Sequence, residues 1–438
     1  MSLIKKINDK TANIAIIGLG YVGLPLAVES GKAGFTVTGI DLNEEKIKAL
    51  NQGENYIPDI PDEDIAQLVA TEKLKATNSF EEISKADIII ICVPTPLDKN
   101  KQPMTKYIED AIESALPYIR KEQLIILEST TYPGTTEEII LPRIESKGLK
   151  VGKDFYLAFS PERIDPGNPS FKTFNIPKVV GGVTKDCTKN ARAFYEQITT
   201  GGVFEVSSPR VAEMEKLLEN IFRIVNISLV NEMAMLCDRM NINIWEVISA
   251  AKTKPFGYMP FYPGPGTGGH CIPLDPFYLS WKAKEFDFST RFIELAGEIN
   301  DKMPEYIIDK VADTLNKDKK SINGSRILII GIAYKKDIND LRESPAIKVA
   351  ELLLKKRAEI MYYDPYVTNA MISAREYYSI ELTPDLIKKS DIVLITTNHS
   401  NIDYEMISRN AKLIYDSRNA TNDKFDNTFK LGNWNITA

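Results

Sequence analysis

Cysteines are few in this sequence, and long hydrophobic runs are missing. The four cysteines, Cys92, Cys187, Cys237 and Cys271, lie far apart in 438 residues and form no CxxC pair. This spacing argues against a disulfide framework and a zinc site, and it favours a reducing compartment. No apolar stretch reaches the ~18 residues of a transmembrane helix, and the polar, charged start at 1–10 does not resemble a signal peptide. We therefore expect a cytoplasmic protein without a metal.

A strong excess of one charge is missing as well. The formal net charge is −6, with 26% charged and 43% hydrophobic residues. This composition is typical of a soluble globular protein and gives no electrostatic reason to expect nucleic-acid or membrane binding. At 438 residues the chain is too long for one ordinary core, so we expect two or three domains.

The first motif is a glycine-rich turn between a predicted strand and a predicted helix. The apolar run at 13–17 leads into Gly18-Leu19-Gly20-Tyr21-Val22-Gly23, and a second strand at 35–40 ends in Asp41. This is the dinucleotide fingerprint in its required setting, with helix amides for the pyrophosphate and an acid for the ribose. An acid there repels a 2′-phosphate, so the pattern predicts NAD. The predicted contacts are Gly18, Gly20, Tyr21, Val22, Gly23 and Asp41.

Three further strands are predicted at 87–93, 123–127 and 155–159, and each ends in small polar or proline residues. The residues that follow them include Thr95, Thr130 and Glu162. Because ligands bind at the carboxyl ends of strands in open α/β sheets, these residues are candidates to line a cofactor or substrate crevice. Ordinary turn chemistry is the alternative for any one of them.

A long predicted helix at 209–240 carries a polar stripe on an otherwise apolar surface. Glu213, Lys216, Asn220 and Arg223 recur at spacings of three or four residues. Buried lysine and asparagine side chains are costly unless they have partners. The stripe is therefore either part of a binding site or a polar seam against a neighbouring element.

A glycine-rich loop leads to the fourth cysteine. Residues 263–269 hold four glycines and two prolines, and Cys271 follows closely. Such a loop lets the backbone approach a ligand. Pro273 and Asp275 suit the first turn of a helix, which places Cys271 at or just before a helix N-terminus, where unpaired amides favour the thiolate. The alternative is a surface loop with an incidental cysteine.

The last part of the chain repeats the α/β pattern without the glycine fingerprint. A strand at 326–330 leads to Tyr334, Lys335 and Lys336, and Arg342 lies close behind. Basic groups there suit a phosphorylated ligand other than the dinucleotide, with solvated lysines as the alternative. We predict an α/β fold of two Rossmann-like doubly wound parallel-sheet domains joined by a long central helix.

These features together fit an NAD-dependent oxidation that continues from aldehyde to acid. Interconversion of alcohol and carbonyl needs no nucleophile, whereas aldehyde oxidation needs a tetrahedral adduct. A Cys271 thiolate would form a thiohemiacetal, loss of hydride would give a thioester, and water would open it. Lys216 would stabilise the oxyanions or shuttle protons, and Asn220 would help to position or polarise the same oxygen. Glu162 would orient the hydrolytic water.

Several segments carry a resemblance to a known family. They are GLGYVG, CVPTP, ESTTYPGT, SPERIDPGN, EMEKLLENIFR, PGPGTGGHCIPLDPFYL and GIAYKKDINDLRESPA. In this order they resemble the UDP-glucose/GDP-mannose dehydrogenase family over nearly the whole chain. The resemblance implies NAD-dependent, four-electron oxidation of the C6 alcohol of a nucleotide sugar to a uronic acid. It also implies a homodimer or larger assembly with the long helix at its core.

The same resemblance assigns domains and roles. It implies an NAD-binding domain at 1–208, a central helical domain with the cysteine loop and dimer core at 209–316, and a UDP-sugar-binding domain at 317–438. Cys271 falls on the family's nucleophile, and Lys216 on its acid/base or oxyanion lysine. The other implied catalytic residues are Asn220, Asp275, Glu162 and Thr130. Thr95, Thr130 and Arg342 are implied near the cofactor. The implied substrate contacts are Arg163, Ile164, Lys216, Asn220, Arg223, Gly268, His270, Tyr334 and Lys335.

Departures from the glucose-specific members narrow the substrate. Those members have GGSC where this chain has GGHC with His270, and a lysine before the aspartate where this chain has Leu274. They also carry a glutamate four positions after the one that matches Glu162, where this chain has Pro166. GGHC and PERIDPGN resemble the branch acting on UDP-N-acetylhexosamines. The segment 254–258 resembles its UDP-N-acetylglucosamine members, which serve surface-polysaccharide synthesis. UDP-N-acetylmannosamine and UDP-glucose remain alternatives.

Two alternatives come from other functional classes. A two-electron, β-hydroxyacid-type dehydrogenase also places lysine and asparagine four residues apart on its central helix, but it does not need Cys271. A non-catalytic sensor of NAD or a nucleotide sugar would keep the fold, but it would need no nucleophile.

Overall fold

The computed structural model describes residues 1–57, 60–98, 102–164, 168, 170–269, 271–422 and 425–433. The chain forms two compact units. The first comprises Met1–Glu219 and Trp281–Phe288, and the second comprises Asn220–Ser280 and Ser289–Ala438. The three domains expected from the sequence stay a prediction. No helix in the described ranges is both long and apolar enough to cross a membrane.

The first unit is built on an eight-stranded sheet. Its strands are β1 (Asn13–Ile17), β2 (Thr36–Ile40), β3 (Leu74–Thr77), β4 (Ile88–Ile91), β5 (Leu124–Leu127), β6 (Tyr156–Phe159), β7 (Lys178–Gly182) and β8 (Val203–Val206). Their order is β3-β2-β1-β4-β5-β6-β7-β8. Neighbours are parallel except β6 and β7, which run antiparallel with Phe159 opposite Gly181. The start of β7 therefore lies at the edge where β4, β5 and β6 end.

Helices cover the sheet of the first unit. They are α1 (Leu3–Asn8), α2 (Gly23–Lys32), α3 (Glu44–Asn51), α4 (Asp62–Ala70), α5 (Lys106–Ala115), α6 (Leu141–Glu145) and α7 (Lys185–Ile198). Strands β4 and β5 consist only of buried isoleucine and leucine residues. Such continuous apolar runs are expected where a parallel strand is buried on both faces.

Two helices have residues in both units, namely α8 (Pro209–Met240) and α10 (Asp275–Ala283). The other helices belong to the second unit, and they are α9 (Ile244–Lys252), α11 (Arg291–Lys317), α12 (Pro345–Lys355), α13 (Pro384–Lys389) and α14 (Tyr404–Asn410). Helix α8 spans 32 residues, over the range that the sequence predicts.

The second unit contains a smaller parallel sheet and a hairpin. Its strands are β9 (Arg326–Ile330), β10 (Glu359–Tyr363), β11 (Asn369–Ile372), β12 (Arg375–Tyr378), β13 (Ile392–Ile395), β14 (Ile414–Asp416) and β15 (Thr428–Lys430). The sheet order is β10-β9-β13-β14-β15, and β11 pairs with β12 separately. All neighbours in the five-stranded sheet are parallel. The predicted α/β fold with two Rossmann-like sheets and a long central helix is confirmed, with the antiparallel β6–β7 pair as a departure.

Candidate functional site

The glycine turn after β1 has the geometry that a dinucleotide needs. Gly18 has a φ of +95°, and an added Cβ would lie 2.6 Å from the carbonyl oxygen of Cys92. At Gly23 a Cβ would overlap the carbonyl of Gly18, so the start of α2 packs directly on the turn. At Gly20 an added Cβ would meet nothing within 4 Å. That open space is where a pyrophosphate could approach the backbone.

Asp41 stands at the end of β2, beside this turn. Its Oδ2 accepts a hydrogen bond from the Leu19 amide at 2.8 Å, and its Oδ1 accepts one from the Asn43 amide at 2.9 Å. The side chain keeps 14% of its surface exposed. The carboxylate thus fixes the turn and still reaches solvent, as a ribose acceptor must. Tyr21 is exposed, and Val22 directly precedes α2.

The ends of β4 and β5 are tied together by threonine and serine. The hydroxyl of Thr95, which is buried, donates to the carbonyl of Thr130 at 2.6 Å. The hydroxyl of Ser129 donates to the carbonyl of Val93 at 2.6 Å. Thr95 and Thr130 therefore meet at one edge of the sheet, although they are 35 positions apart in the sequence.

The polar stripe of α8 begins with a structural anchor. The carboxylate of Glu213 is fully buried and accepts from the Gly134 amide at 2.6 Å, from the Thr136 amide at 3.0 Å and from the Thr136 hydroxyl at 2.7 Å. Burial raises the pKa of Glu213 to about 7, against the lowering effect of these bonds. Glu213 therefore holds the loop after β5 to α8, as a polar seam would.

Lys216 differs from its neighbour on the stripe. Its side chain is buried at 7% exposure. Its ammonium makes no hydrogen bond or ion pair with any described residue of the first unit. Buried cations are normally paired, so an anionic or strongly polar ligand group would satisfy this one. A seam does not account for Lys216.

Arg163 and Glu162 follow β6, and the side chain of each makes hydrogen bonds within the first unit. The Arg163 guanidinium donates to Glu219 on α8, at 3.0 Å from Nε, and lies 3.6 Å from Glu215. Burial, followed by the hydrogen bond that protonated Glu215 donates to Glu219, raises the pKa of Glu215 to about 7. One oxygen of Glu162 accepts from the amides of Arg163 and Ile164 at 2.6 and 2.7 Å. The substrate contacts expected of Arg163 and Ile164 stay predictions.

In the second unit, Asn220 and Asp275 form a buried pair. The Asn220 amide donates to Oδ2 of Asp275 at 2.6 Å, and the two residues are 4% and 3% exposed. The carbonyl of Cys271 accepts from the Asp275 amide at 2.8 Å and from the Leu274 amide at 3.2 Å. Cys271 thus lies one turn ahead of α10 with a half-buried side chain. The sequence-predicted Asn220, Cys271 and Asp275 are brought together in this unit.

The glycine loop before Cys271 is fixed at both ends. The Gly264 amide donates to Oδ1 of Asn231 on α8 at 2.9 Å. The Gly269 amide donates to the Arg342 carbonyl at 2.9 Å. An added Cβ at Gly268 would lie 2.6 Å from Cβ of Tyr334, so this loop packs tightly against the segment after β9. Sequence reasoning missed Asn231, which is an interior polar residue of α8 with no motif around it.

The remaining predicted substrate and cofactor residues lie less deeply. Tyr334 and Lys335 are half-buried, and Arg223 and Arg342 are exposed. The Arg342 guanidinium bonds Asp340, at 2.6 Å from Nη2. His270 and Pro166 lie outside the described residues.

Asp364, which follows β10, stands at the position that corresponds to Asp41 but is not accessible to solvent. Asp364 accepts from the amides of Ile332 and Ala333 at 2.7 and 3.1 Å, much as Asp41 accepts from Leu19. Its side chain is fully buried and also contacts Nε2 of His399 at 3.0 Å. Because Nδ1 of His399 accepts from the Asp337 amide at 2.9 Å, the hydrogen is assigned to Nε2. The second sheet therefore does not duplicate the exposed acid of the first.

Sequence reasoning also missed a buried cation. Lys178, the first residue of β7, is 3% exposed and contacts the carboxylates of Glu128 and Glu162. A lysine at the start of a buried apolar run was the one signal for it in the sequence.

Comparison with known proteins gives similar sequences over most of the chain. Residues 12–199 match the NAD binding domain of the UDP-glucose/GDP-mannose dehydrogenase family, residues 210–302 its central domain, and residues 328–423 its UDP binding domain. The UDP-N-acetyl-D-glucosamine 6-dehydrogenase of Pseudomonas aeruginosa is 37% identical over 360 residues, 82% of this chain and 84% of that protein. The UDP-N-acetyl-D-mannosamine dehydrogenase of Pyrococcus horikoshii is 35% identical over 413 residues, 93% of this chain and 95% of that protein.

A solved structure agrees with the sequence matches. The UDP-D-ManNAc dehydrogenase structure from Pyrococcus horikoshii gives a TM-score of 0.87 at 33% identity, covering 96% of this chain and 99% of that chain. The match at 12–199 and the geometry at Gly18, Gly20 and Gly23 indicate the same cofactor. The predicted NAD is confirmed.

Proposed function

This chain belongs to the UDP-glucose/GDP-mannose dehydrogenase family as an NAD-dependent nucleotide-sugar dehydrogenase, and we propose that it oxidises the C6 hydroxyl of a UDP-N-acetylhexosamine to the carboxylate. UDP-N-acetylglucosamine is the first substrate we propose. The observation that carries the four-electron assignment is Cys271, half-buried one turn ahead of α10 beside the Asn220–Asp275 pair. A two-electron dehydrogenase has no use for such a thiol.

Cys271 is the proposed nucleophile. NAD, when bound, accepts hydride, and two equivalents are needed for each sugar. The Cys271 sulfur adds to the C6 aldehyde and gives a thiohemiacetal, whose oxidation leaves a thioester on the same sulfur. Hydrolysis breaks the carbon–sulfur bond and returns the thiol together with the acid. Cys271 lies ahead of the N-terminus of α10, whose positive dipole end favours the thiolate.

Lys216 and Asn220 are the proposed oxyanion group. They lie four positions apart on α8, which is one helical turn. The Lys216 ammonium makes no hydrogen bond or ion pair with a described residue of its unit, so its N–H groups can bond the alkoxide and the thiohemiacetal oxygen. Asp275 holds the Asn220 amide in one orientation. Thr130, whose carbonyl accepts from Thr95, is proposed to lie near the cofactor and the reacting carbon.

Glu162 is proposed to orient the water that opens the thioester. One of its oxygens is held by the amides of Arg163 and Ile164. Its second oxygen, which lies 3.4 Å from the Lys178 ammonium, is the proposed acceptor for water. Its side chain keeps 11% of its surface exposed.

The proposal of a UDP-N-acetylhexosamine substrate is supported by both sequence motifs and relatives. GGHC and PERIDPGN differ from the glucose-specific pattern, and a relative acting on UDP-N-acetyl-D-glucosamine is 37% identical. UDP-N-acetylmannosamine is the second candidate, because a relative named for that sugar is 35% identical over 93% of the chain. The product, a nucleotide-linked uronic acid, suits surface-polysaccharide synthesis.

We also propose that two copies associate through α8. One face of the helix carries large apolar residues that are exposed in the single chain. This exposed stripe consists of Val211, Met214, Leu218, Phe222, Leu229, Met233, Leu236 and Met240. A continuous apolar patch of this kind marks an interaction surface rather than a solvated face.

The substrate assignment is tested by turnover of a panel of sugars. We would measure kcat/KM with the UDP derivatives of N-acetylglucosamine, N-acetylmannosamine, N-acetylgalactosamine and glucose, for the wild type and for Cys271→Ala. The highest value is expected with UDP-N-acetylglucosamine, and the variant is expected to form no acid. A preference for UDP-glucose, or acid formation by Cys271→Ala, would overturn the proposal.

A further inference from the structure

Lys178 is a buried cation at the edge of the sheet where the strands of the first unit end. It is the first residue of β7, and it is 3% exposed. Because β7 runs antiparallel to β6 with Phe159 opposite Gly181, the same register continued past Phe159 sets Glu162 opposite Lys178. Because β6 and β7 run in opposite directions, Lys178 at the start of β7 lies beside Glu162, just beyond the end of β6.

The Lys178 ammonium joins two carboxylates. It bonds Oε1 of Glu128, lies 3.4 Å from Oε2 of Glu162, and lies 3.4 Å from the carbonyl of Pro161. The other oxygen of Glu128 accepts from the Tyr195 hydroxyl at 2.6 Å. Burial lowers the pKa of Lys178, but the two carboxylates raise it by more, so the lysine stays charged.

Stability alone does not explain this cluster. Glu128 and Tyr195 are 1% and 0% exposed, and burial raises the pKa of Glu128. Removing two charges from water costs several kcal/mol per ion, and hydrophobic residues of similar volume often do as well or better. The ammonium bonds Glu128 and lies 5.2 Å from the centroid of the Tyr195 ring. Its other contacts are the Pro161 carbonyl and Glu162, each at 3.4 Å.

Glu162 is consequently held at both oxygens. The amides of Arg163 and Ile164 fix Oε1 at 2.6 and 2.7 Å, and Lys178 fixes the direction of Oε2. At 3.4 Å the contact with Lys178 is long, so Oε2 retains capacity to accept from a water. Lys178 itself is too deeply buried to meet a substrate, and it can act only through Glu162.

We propose that Lys178 is a positioning residue for the hydrolytic half of the reaction, holding the Glu162 carboxylate in the orientation that directs water to the Cys271 thioester. This inference rests on the proposed function. The aldehyde and thiohemiacetal steps do not involve Glu162, so loss of Lys178 slows thioester hydrolysis and leaves the oxidations in place.

The test is the accumulation of the acyl-enzyme. Lys178→Met removes the charge and keeps the length of the side chain. We expect kcat and the KM for the sugar to fall together by about 10- to 100-fold, with kcat/KM nearly unchanged, because only the step after thioester formation is slowed. Rapid mixing with UDP-N-acetylglucosamine is expected to show a burst of two NADH per enzyme before the slow phase. Mass spectrometry of the quenched enzyme should then find the uronyl adduct on Cys271.

Two further variants separate positioning from folding. Lys178→Met leaves Glu128 buried without its cation, whereas the double change Lys178→Met with Glu128→Gln removes both charges and is expected to fold. It should show the same burst and adduct. The matched control is Lys282→Met, because Lys282 is also buried, at 4% exposure, and also joins two carboxylates, Glu138 and Glu285, at 2.8 and 2.7 Å. The control is expected to show no adduct.

The outcomes distinguish this inference from the proposed function. If the wild type yields two NADH per sugar but the Lys178 variants show neither burst nor adduct, the positioning role is wrong and the reaction stands. If Lys282→Met accumulates the same adduct, the effect is one of general destabilisation, and the role is likewise refuted. If the wild type forms no acid, the proposed function itself fails.

Discussion

The polar residues on α8 share a spacing but differ in their surroundings. Glu213 is saturated by two amides and a hydroxyl, and Asn220 is bonded to Asp275. Lys216, between them, makes no hydrogen bond or ion pair with a described residue of the first unit, and it interacts only through its charge with Glu215 and Glu219. The position on the helix therefore does not decide the role of each residue. Its partners decide it, and the residue left unsatisfied is the one we assign to the reacting oxygen.

The raised pKa of Glu213 predicts that the free energy of unfolding depends on pH. Burial raises its pKa from 4.5 to about 7 in the folded protein, so between these values the folded state holds a proton that the unfolded state releases. The stabilisation is complete below the unfolded pKa and is lost as the pH rises through about 7. Glu213→Gln has no such proton. The unfolding free energy of the wild type, relative to the variant, should fall between pH 4.5 and 8 by at most about 3 kcal/mol.

Urea unfolding of both proteins across this pH range measures the difference. Glu196→Gln is the control, because that carboxylate is exposed, with 44% of its side-chain surface accessible. A wild-type advantage that grows with pH would contradict the assigned environment of Glu213.

At the scale of elements, the β1 turn and α2 form the proposed cofactor site, and the packing differs at each of its glycines. Gly23 has no room for a side chain, because a Cβ would overlap the carbonyl of Gly18. Gly20 has ample room in the structure, since nothing lies within 4 Å of the added atom. One glycine is therefore needed by the fold and the other by the ligand.

The two glycines make a matched pair for mutation. Gly20→Ala should fold as the wild type does and raise the Kd for NAD by about 10-fold or more, because its methyl group stands where the pyrophosphate approaches. Gly23→Ala should lower the unfolding free energy by about 1–3 kcal/mol through overpacking. Calorimetric titration with NAD and thermal unfolding measure the two effects. Unchanged NAD binding by Gly20→Ala would contradict the assigned site.

The sequence predicts most elements but not their contacts. Strands such as β4 and β5 are uniformly apolar and were predicted within one or two residues, whereas the mixed β3 and the exposed β12 were missed because polar residues alternate in them. The reversed direction of β7 depends on the connection 160–177, which carries no periodic pattern. The Lys178–Glu128 pair, 50 positions apart, follows from that reversal and was not predictable.

The candidate site was predictable where a motif dictates its own geometry. The NAD turn and the cysteine loop are of this kind, because their glycines and prolines restrict the backbone locally. Asn220 and Asp275 are 55 positions apart, and their hydrogen bond could not be inferred from spacing. The family resemblance named both residues, but the structure supplies the bond between them.

At the scale of the whole molecule, the exposed stripe of α8 is the feature left unexplained by a single chain. Leu218 is 63% exposed and Leu229 is 51% exposed. Burying their exposed parts against a second copy would recover about 1–2 kcal/mol per side chain. We therefore expect a homodimer with α8 at its interface.

Charge on the stripe should dissociate the dimer. The double variant Leu218→Glu with Leu229→Glu is expected to sediment as a monomer at micromolar concentration, where the wild type sediments as a dimer or a larger assembly. Met371→Glu is the control, because Met371 is 59% exposed on the separate β11–β12 hairpin. A monomeric wild type, or a double variant with unchanged mass, would contradict the proposed interface.

The central claim is a four-electron oxidation through Cys271, and the number of NADH formed per sugar tests it most directly. Limiting UDP-N-acetylglucosamine would be converted to completion with excess NAD, and both NADH and the uronic acid would be counted. The account predicts two NADH and one acid per sugar with the wild type, and no acid with Cys271→Ala. One NADH per sugar, with an aldehyde or ketone as product and the variant equally active, would contradict it.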